Sequence, residues 1–279
     1  MSPLAERRAL GYPYACNYQP FVVTGGGFLA PRTEPWPEDI SWRRALEGRH
    51  ASLAIGSNRS TNQLARKYIG WPEPLAIPAW PVRAIGLDVH FAAAIGHYGA
   101  IPATPVRASG TSCDLMLVWL NPSERVRMDE TEALGHAYDR YTLPVDCTDL
   151  PVAVSEVDVY VHRAGTYPLT GRQSVAMKEL PVSGALDAHA GRLTQRMMQE
   201  RLRRRYAPSI SLQQFVGGNI HNAPLRRSRA ALMGQRAVPA WSPKLTDGAA
   251  HHDDVAGVLG GCAGTAGGQF PRVRLVSMA

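Results

Sequence analysis

Two stretches of the chain hold groups suited to binding anions or moving protons. The first is Gly56-Ser57-Asn58, which follows the apolar run 51–55 and precedes a segment where Leu64, Ala65 and Tyr68 fall at helical spacing. A glycine turn between a strand and a helix N-terminus offers backbone N–H groups to an anion or a developing oxyanion. The second is the acidic group Asp129, Glu130 and Glu132 on a helix that starts at Asn121-Pro122-Ser123-Glu124, with proline at an early position. A carboxyl group in a cavity can accept a proton and later return it. Glu130 and Glu132 point to different helix faces, so only one of them can serve a given pocket.

Other chemistry is weaker on the same grounds. Ser57 lacks the flanking glycines of a nucleophile elbow, and nothing in the sequence selects His90, His97 or His136 as its partner. His251-His252-Asp253-Asp254 lies on a Gly- and Ala-rich tail, where adjacent residues close a tetrahedral metal site poorly. The glycines of 257–268 follow no strand and open no helix, which argues against a nucleotide-binding loop. Cys16, Cys113, Cys147 and Cys262 include no C-x-x-C pair and are expected as reduced, structural thiols in a cytoplasmic protein.

The elements that must position these groups follow from patterning. Apolar runs at 51–55, 82–91, 101–104, 114–120, 138–143 and 152–161 read as about six strands, and the segments after Ser60 and Asn121 as two helices, the second ended by Gly135. The Pro-rich stretch 71–81 is expected to be a loop or an edge segment. Residues 1–50 are rich in Pro, Tyr, Trp and Gly and read as an irregular extension with one short helix-like stretch at Trp42-Arg43-Arg44-Ala45-Leu46. A longer helix is expected within 185–206, with an Arg-rich face. Beyond Pro239 the composition falls to that of a flexible tail at 249–268.

The chain has 279 residues and a net charge of +7, and no apolar run is long enough to span a membrane. Only Lys67, Lys178 and Lys244 among its 30 basic residues are lysine. Ten arginines against the single acid Glu200 lie within 192–236, so the rest of the chain is slightly acidic. Clustered arginine can neutralise phosphates, but without interleaved aromatic residues nucleic-acid binding is the lesser reading beside a solvated helix face.

The order of motifs between Ala51 and Tyr141 resembles the gamma-glutamylcyclotransferase-like family. Leu53-Ala54-Ile55-Gly56-Ser57-Asn58 is similar to the family's strand leading into a Tyr-Gly-Ser-Asn loop. Gly99-Ala100-Ile101-Pro102-Ala103-Thr104 resembles its Gly-x-Ala-Thr strand, and Leu117-Val118-Trp119-Leu120 its Gly-Val-Val-Tyr-like strand. Met128-Asp129-Glu130-Thr131-Glu132-Ala133 resembles its Leu-Asp-x-x-Glu-Gly segment, and Tyr138-Asp139-Arg140 its Tyr-x-Arg. Ile55 stands where the family has Tyr, which removes a phenol from the pocket lining, and Ala133 stands where it has Gly.

The resemblance implies an α+β fold, a small mixed β-barrel with short helices over 51–206; composition adds an irregular extension at 1–50 and a basic, then Gly/Ala-rich, partly disordered extension at 207–279. The resemblance also implies release of 5-oxoproline and a free amine from a γ-glutamyl amide, without cofactor or metal. Glu132 would be the general acid/base, and Ile55, Gly56, Ser57, Asn58 and Tyr138 would hold the small γ-glutamyl substrate. The alternative on the same fold is a non-catalytic binding module. The amine and the oligomeric state stay open.

Overall fold

The computed structural model describes residues 2–25, 27–29, 45–72, 74–171, 173–184, 191–239 and 270–276. Its strands are β1 (Phe21–Thr24), β2 (Gly27–Leu29), β3 (His50–Ala54), β4 (Ala76–Phe91), β5 (Ala103–Leu120), β6 (Tyr138–Thr148), β7 (Glu156–His162), β8 (Pro168–Thr170), β9 (Gln173–Ser174), β10 (Ala176–Met177), β11 (Val182–Gly184), β12 (Arg192–Leu193) and β13 (Arg272–Leu275). Six short helices accompany them among the described residues: α1 (Pro3–Leu10), α2 (Thr61–Lys67), α3 (Pro122–Thr131), α4 (Gln195–Tyr206), α5 (Leu212–His221) and α6 (Ala223–Gly234).

Strands β5, β3, β7, β6, β13 and β4 pair in that order, and β4 pairs back onto β5 to close a six-stranded barrel. The β3 to β7 and β13 to β4 pairings are parallel and the others antiparallel, so the barrel is mixed. Alternate residues of all six strands, among them Leu53, Val82, Leu115, Leu143, Val159 and Val273, are buried in one apolar cluster that fills it. The alternation on β4 changes parity, from Val82 and Ala84 to Leu87, Val89 and Phe91. A bulge between Ile85 and Leu87, with Gly86 at φ +79°, makes that switch and keeps both halves of the strand facing the core.

A second buried layer lies on the outer face, where Met116, Val118 and Tyr160 meet Leu64 on α2, Tyr68 at its end and Met128 on α3. The start of α3 is fixed locally. The Asn121 side chain accepts the Glu124 N–H at 2.8 Å, while Glu124 returns a bond to the Asn121 N–H, also at 2.8 Å. Buried Glu124 is further paired with Arg49, and Tyr68 donates to the Glu124 carbonyl at 2.7 Å.

Several expected boundaries move. The runs 101–104 and 114–120 are two ends of the single strand β5, and β4 begins at Ala76 inside the Pro-rich stretch. Pro81 falls in the gap between the stretches of β4 paired with β1 and with β13, where a missing N–H is tolerated. The helix within 185–206 starts at Gln195, because Thr194 caps it by accepting the Met197 N–H at 3.2 Å; residues 185–190 lie outside the described residues.

The flanking regions are more ordered than their composition suggests. Residues 3–10 form α1, and β1 pairs with β4, so 1–50 is not irregular throughout. Within 207–279, α5 and α6 precede the undescribed stretch 240–269, and β13 follows it as a barrel strand. Residues 42–44, 251–254 and 257–268 and Cys262 also lie outside the described residues. No helix among the described residues is long and apolar enough to cross a membrane.

Candidate active site

At one end of the barrel a cavity of about 670 Å³ opens between the end of β3, the starts of β5 and β6, the end of β7 and the C-terminal end of α3. All six residues singled out from the sequence line it: Ile55, Gly56, Ser57, Asn58, Glu132 and Tyr138.

The turn after β3 is a short 3-10 segment, Ser57–Arg59, ahead of α2. Ser60 precedes α2 but makes no side-chain cap. The turn is closed by the Arg59 and Ser60 N–H groups, which donate to the Gly56 and Ser57 carbonyls at 3.3 and 3.0 Å. Gly56 has to be glycine, since a methyl group there would collide with the Tyr12 hydroxyl. Arg59, almost fully buried, ties the turn down through its Nε, which donates to the Gly56 carbonyl at 3.2 Å.

Asp129 and Glu130 on α3 and Glu132 just past its end have separate fates. Asp129 accepts from Tyr160 Oη at 2.6 Å and pairs with Arg140, so the Tyr138-Asp139-Arg140 motif anchors the helix through its arginine. Glu130 is exposed and pairs with Arg127 at 3.1 Å. Glu132 turns into the cavity, accepts from Asn58 Nδ2 at 2.9 Å and is ion-paired with Lys67 from the end of α2.

Helix α3 ends at Thr131, four residues before the glycine expected to stop it. Glu132 is its C-terminal cap residue, with its N–H on the Met128 carbonyl at 2.9 Å, and Ala133 then takes φ +52°. A left-handed residue is a common end for a helix, but it strains any side chain beyond glycine.

Aromatic and imidazole groups line the rest. Tyr138 donates to the Ala103 carbonyl at 3.1 Å, and its ring stands edge-on to His162, with centroids 4.7 Å apart. His162 Nδ1 accepts the Ala164 N–H at 3.1 Å, so the proton of the neutral ring sits on Nε2. Burial pushes the His162 pKa down to about 4, which keeps the ring neutral near pH 7. His97 and His136 also border the cavity, while His90 does not line it: its Nδ1 meets Ser174 Oγ at 2.6 Å and its Nε2 meets Asp88 at 3.3 Å. No histidine is hydrogen-bonded to Ser57 among the described residues.

Lys67, Tyr12, Tyr98, His162, Arg8, Arg66 and Arg127 were not expected here and all line the cavity. Lys67 did carry a signal, as one of only three lysines in an arginine-dominated chain. Glu132 is the one acid among the described lining residues, against the four cations Arg8, Arg66, Lys67 and Arg127.

The arginine cluster at 192–236 is partly consumed inside the fold. Arg192 pairs with Asp88, Arg203 binds the Pro208 and Ile210 carbonyls, and Arg226 binds those of Asn219 and Ile220. Arg229 is buried, donates to the Phe215 carbonyl at 2.9 Å and stacks 4.2 Å over the Phe215 ring. Among the described residues no group of three or more His, Cys, Asp or Glu side chains is placed to hold a metal ion. Comparison of the chain with protein-family models, with curated proteins and with solved structures returned no match.

Proposed function

We propose that the barrel-end cavity is the active site of a cyclotransferase acting on γ-glutamyl amides, as the motif resemblance implies. The observation that carries the reading is the meeting of the Gly56-Ser57-Asn58 turn with Glu132 in one cavity, through the 2.9 Å bond from Asn58. In the proposed reaction Glu132 takes a proton from the α-ammonium of the glutamyl group. The freed amine attacks the side-chain carbonyl carbon, forming the ring C–N bond and placing negative charge on the carbonyl oxygen. Donors of the turn stabilise that oxygen. The amide C–N bond then breaks as the oxygen re-forms the carbonyl and Glu132 gives its proton to the departing amine; the second proton on the ring nitrogen passes through Glu132 to the released amine, which leaves as an ammonium beside 5-oxoproline.

The reaction so written needs no cofactor. The cationic rim supports an anionic substrate, since Arg8, Arg66 and Arg127 would draw a carboxylate to a cavity with a single acid. Lys67 holds the Glu132 carboxylate in place until the substrate ammonium arrives as a competing cation. The same ion pair favours the second reading, a binding module in which Glu132 is a structural anion. Incubation of the protein with a panel of γ-glutamyl amines and dipeptides, with 5-oxoproline followed by mass spectrometry, separates them. Product is expected; its absence across the panel leaves the binding module.

A further inference from the structure

We infer that Tyr12, carried by the segment that follows α1, donates a hydrogen bond from its hydroxyl to the glutamyl group held at the Gly56-Ser57-Asn58 turn. The inference rests on the cyclotransferase reading and adds to it a substrate-facing group from outside the motif-bearing region.

The donor count at Ala103 carries the argument. The Ala103 peptide is bracketed by two phenols: its N–H donates to Tyr12 Oη at 2.9 Å, and its carbonyl accepts from Tyr138 Oη at 3.1 Å. Tyr138 therefore has its hydrogen committed to protein. Tyr12 has only its acceptor side committed, and no described residue accepts its hydrogen. Tyr12 lines the cavity, and its hydroxyl lies against Gly56, so closely that a methyl group there would collide with it. A hydroxyl with an uncommitted hydrogen beside the turn that receives the substrate is placed to donate to an oxygen of that substrate.

Two further features suit the role. Tyr12 is 4% exposed and set between Tyr14 and Tyr98, with ring centroids 5.9 and 6.2 Å away, so the phenol is held before any ligand arrives. Burial raises its pKa strongly, so the group stays protonated and acts as a donor and not as a base. Ile55, at the end of the strand where the related motif has tyrosine, offers no hydroxyl; Tyr12 reaches the same turn from another part of the chain.

The test compares wild type, Tyr12→Phe and Tyr14→Phe on a γ-glutamyl substrate that wild type turns over, with thermal melts alongside. Loss of one donor to a developing oxyanion predicts a fall of about 100-fold in kcat/KM for Tyr12→Phe, while Tyr14→Phe stays within about threefold of wild type. Replacement of Tyr12 by fluorotyrosines of graded acidity keeps the ring and the Ala103 contact, and kcat/KM should rise with phenol acidity. That trend is one a merely structural tyrosine would not give, and it is readable even where the phenylalanine variant folds poorly. Unchanged kcat/KM in Tyr12→Phe, or no dependence on acidity, overturns the inference and leaves the cyclotransferase reading standing. No turnover by wild type of any γ-glutamyl compound overturns both.

Discussion

Asn58 and Glu132, 74 positions apart in the chain, are joined by a 2.9 Å hydrogen bond from Nδ2 to Oε1 across the mouth of the barrel. The bond ties the turn after β3 to the end of α3, and with it the anion-receiving and proton-moving halves of the proposed site. Asn58 Oδ1 has no hydrogen-bond partner among the described residues, so the amide is oriented through Nδ2, which also donates to Met128 Sδ at 3.5 Å. Asn58→Ala should lower kcat/KM by about 10- to 100-fold through loss of that alignment, with little change in melting temperature. Steady-state kinetics on the best substrate of the panel, beside a thermal melt, checks this.

Lys67 and Glu132 form a pair with little solvent access, at 9% and 14% side-chain exposure. Removing one partner of such a pair costs more than removing both, because the remaining charge is left uncompensated. Lys67→Met and Glu132→Gln should therefore each destabilise the fold, and the double variant less than their sum. The coupling expected from urea unfolding of the full cycle is about 1–3 kcal/mol.

Ala133 at φ +52° gives a prediction of the opposite sign. Glycine adopts that conformation without strain, so Ala133→Gly should stabilise the protein by up to about 1 kcal/mol despite the added freedom of the unfolded chain. Denaturant midpoints read the change.

His162 sets a pH dependence. An unfolded histidine takes up its proton near its ordinary pKa of 6.5, the buried one near 4, so between these values the unfolded chain binds more proton. The stability this neutral ring contributes is present in full above pH 6.5 and is lost as pH falls towards 4, by on the order of 3 kcal/mol. Urea unfolding of wild type at a series of pH values should show that loss, and His162→Gln, which can still accept the Ala164 N–H, should show much less of it.

The parts legible in the sequence are those set by neighbours along the chain. Asn121, Pro122 and Glu124 announce α3 because a capping box closes within four residues, and Gly56 marks the turn after β3 because an apolar run ends there. Glu130 and Glu132 separate as helical geometry requires, one paired at the surface and one facing the cavity. What sequence patterning missed depends on distant pairing. The alternation Arg272-Val273-Arg274-Leu275 is visible, yet it follows a Gly- and Ala-rich stretch, and only its place between β4 and β6 makes it a barrel strand. Tyr12 looked like part of an irregular extension because nothing local tells a tyrosine that it will sit over Gly56. Ala133, a departure from the related motif, keeps the left-handed turn that glycine would make more easily.

The central claim is that Glu132 moves the proton that makes and releases 5-oxoproline. Its most direct test is Glu132→Gln beside wild type on a γ-glutamyl substrate, with 5-oxoproline measured by mass spectrometry and folding checked by circular dichroism. Wild type should give product, and a folded Glu132→Gln none above background. A folded Glu132→Gln that forms 5-oxoproline at the wild-type rate would contradict it.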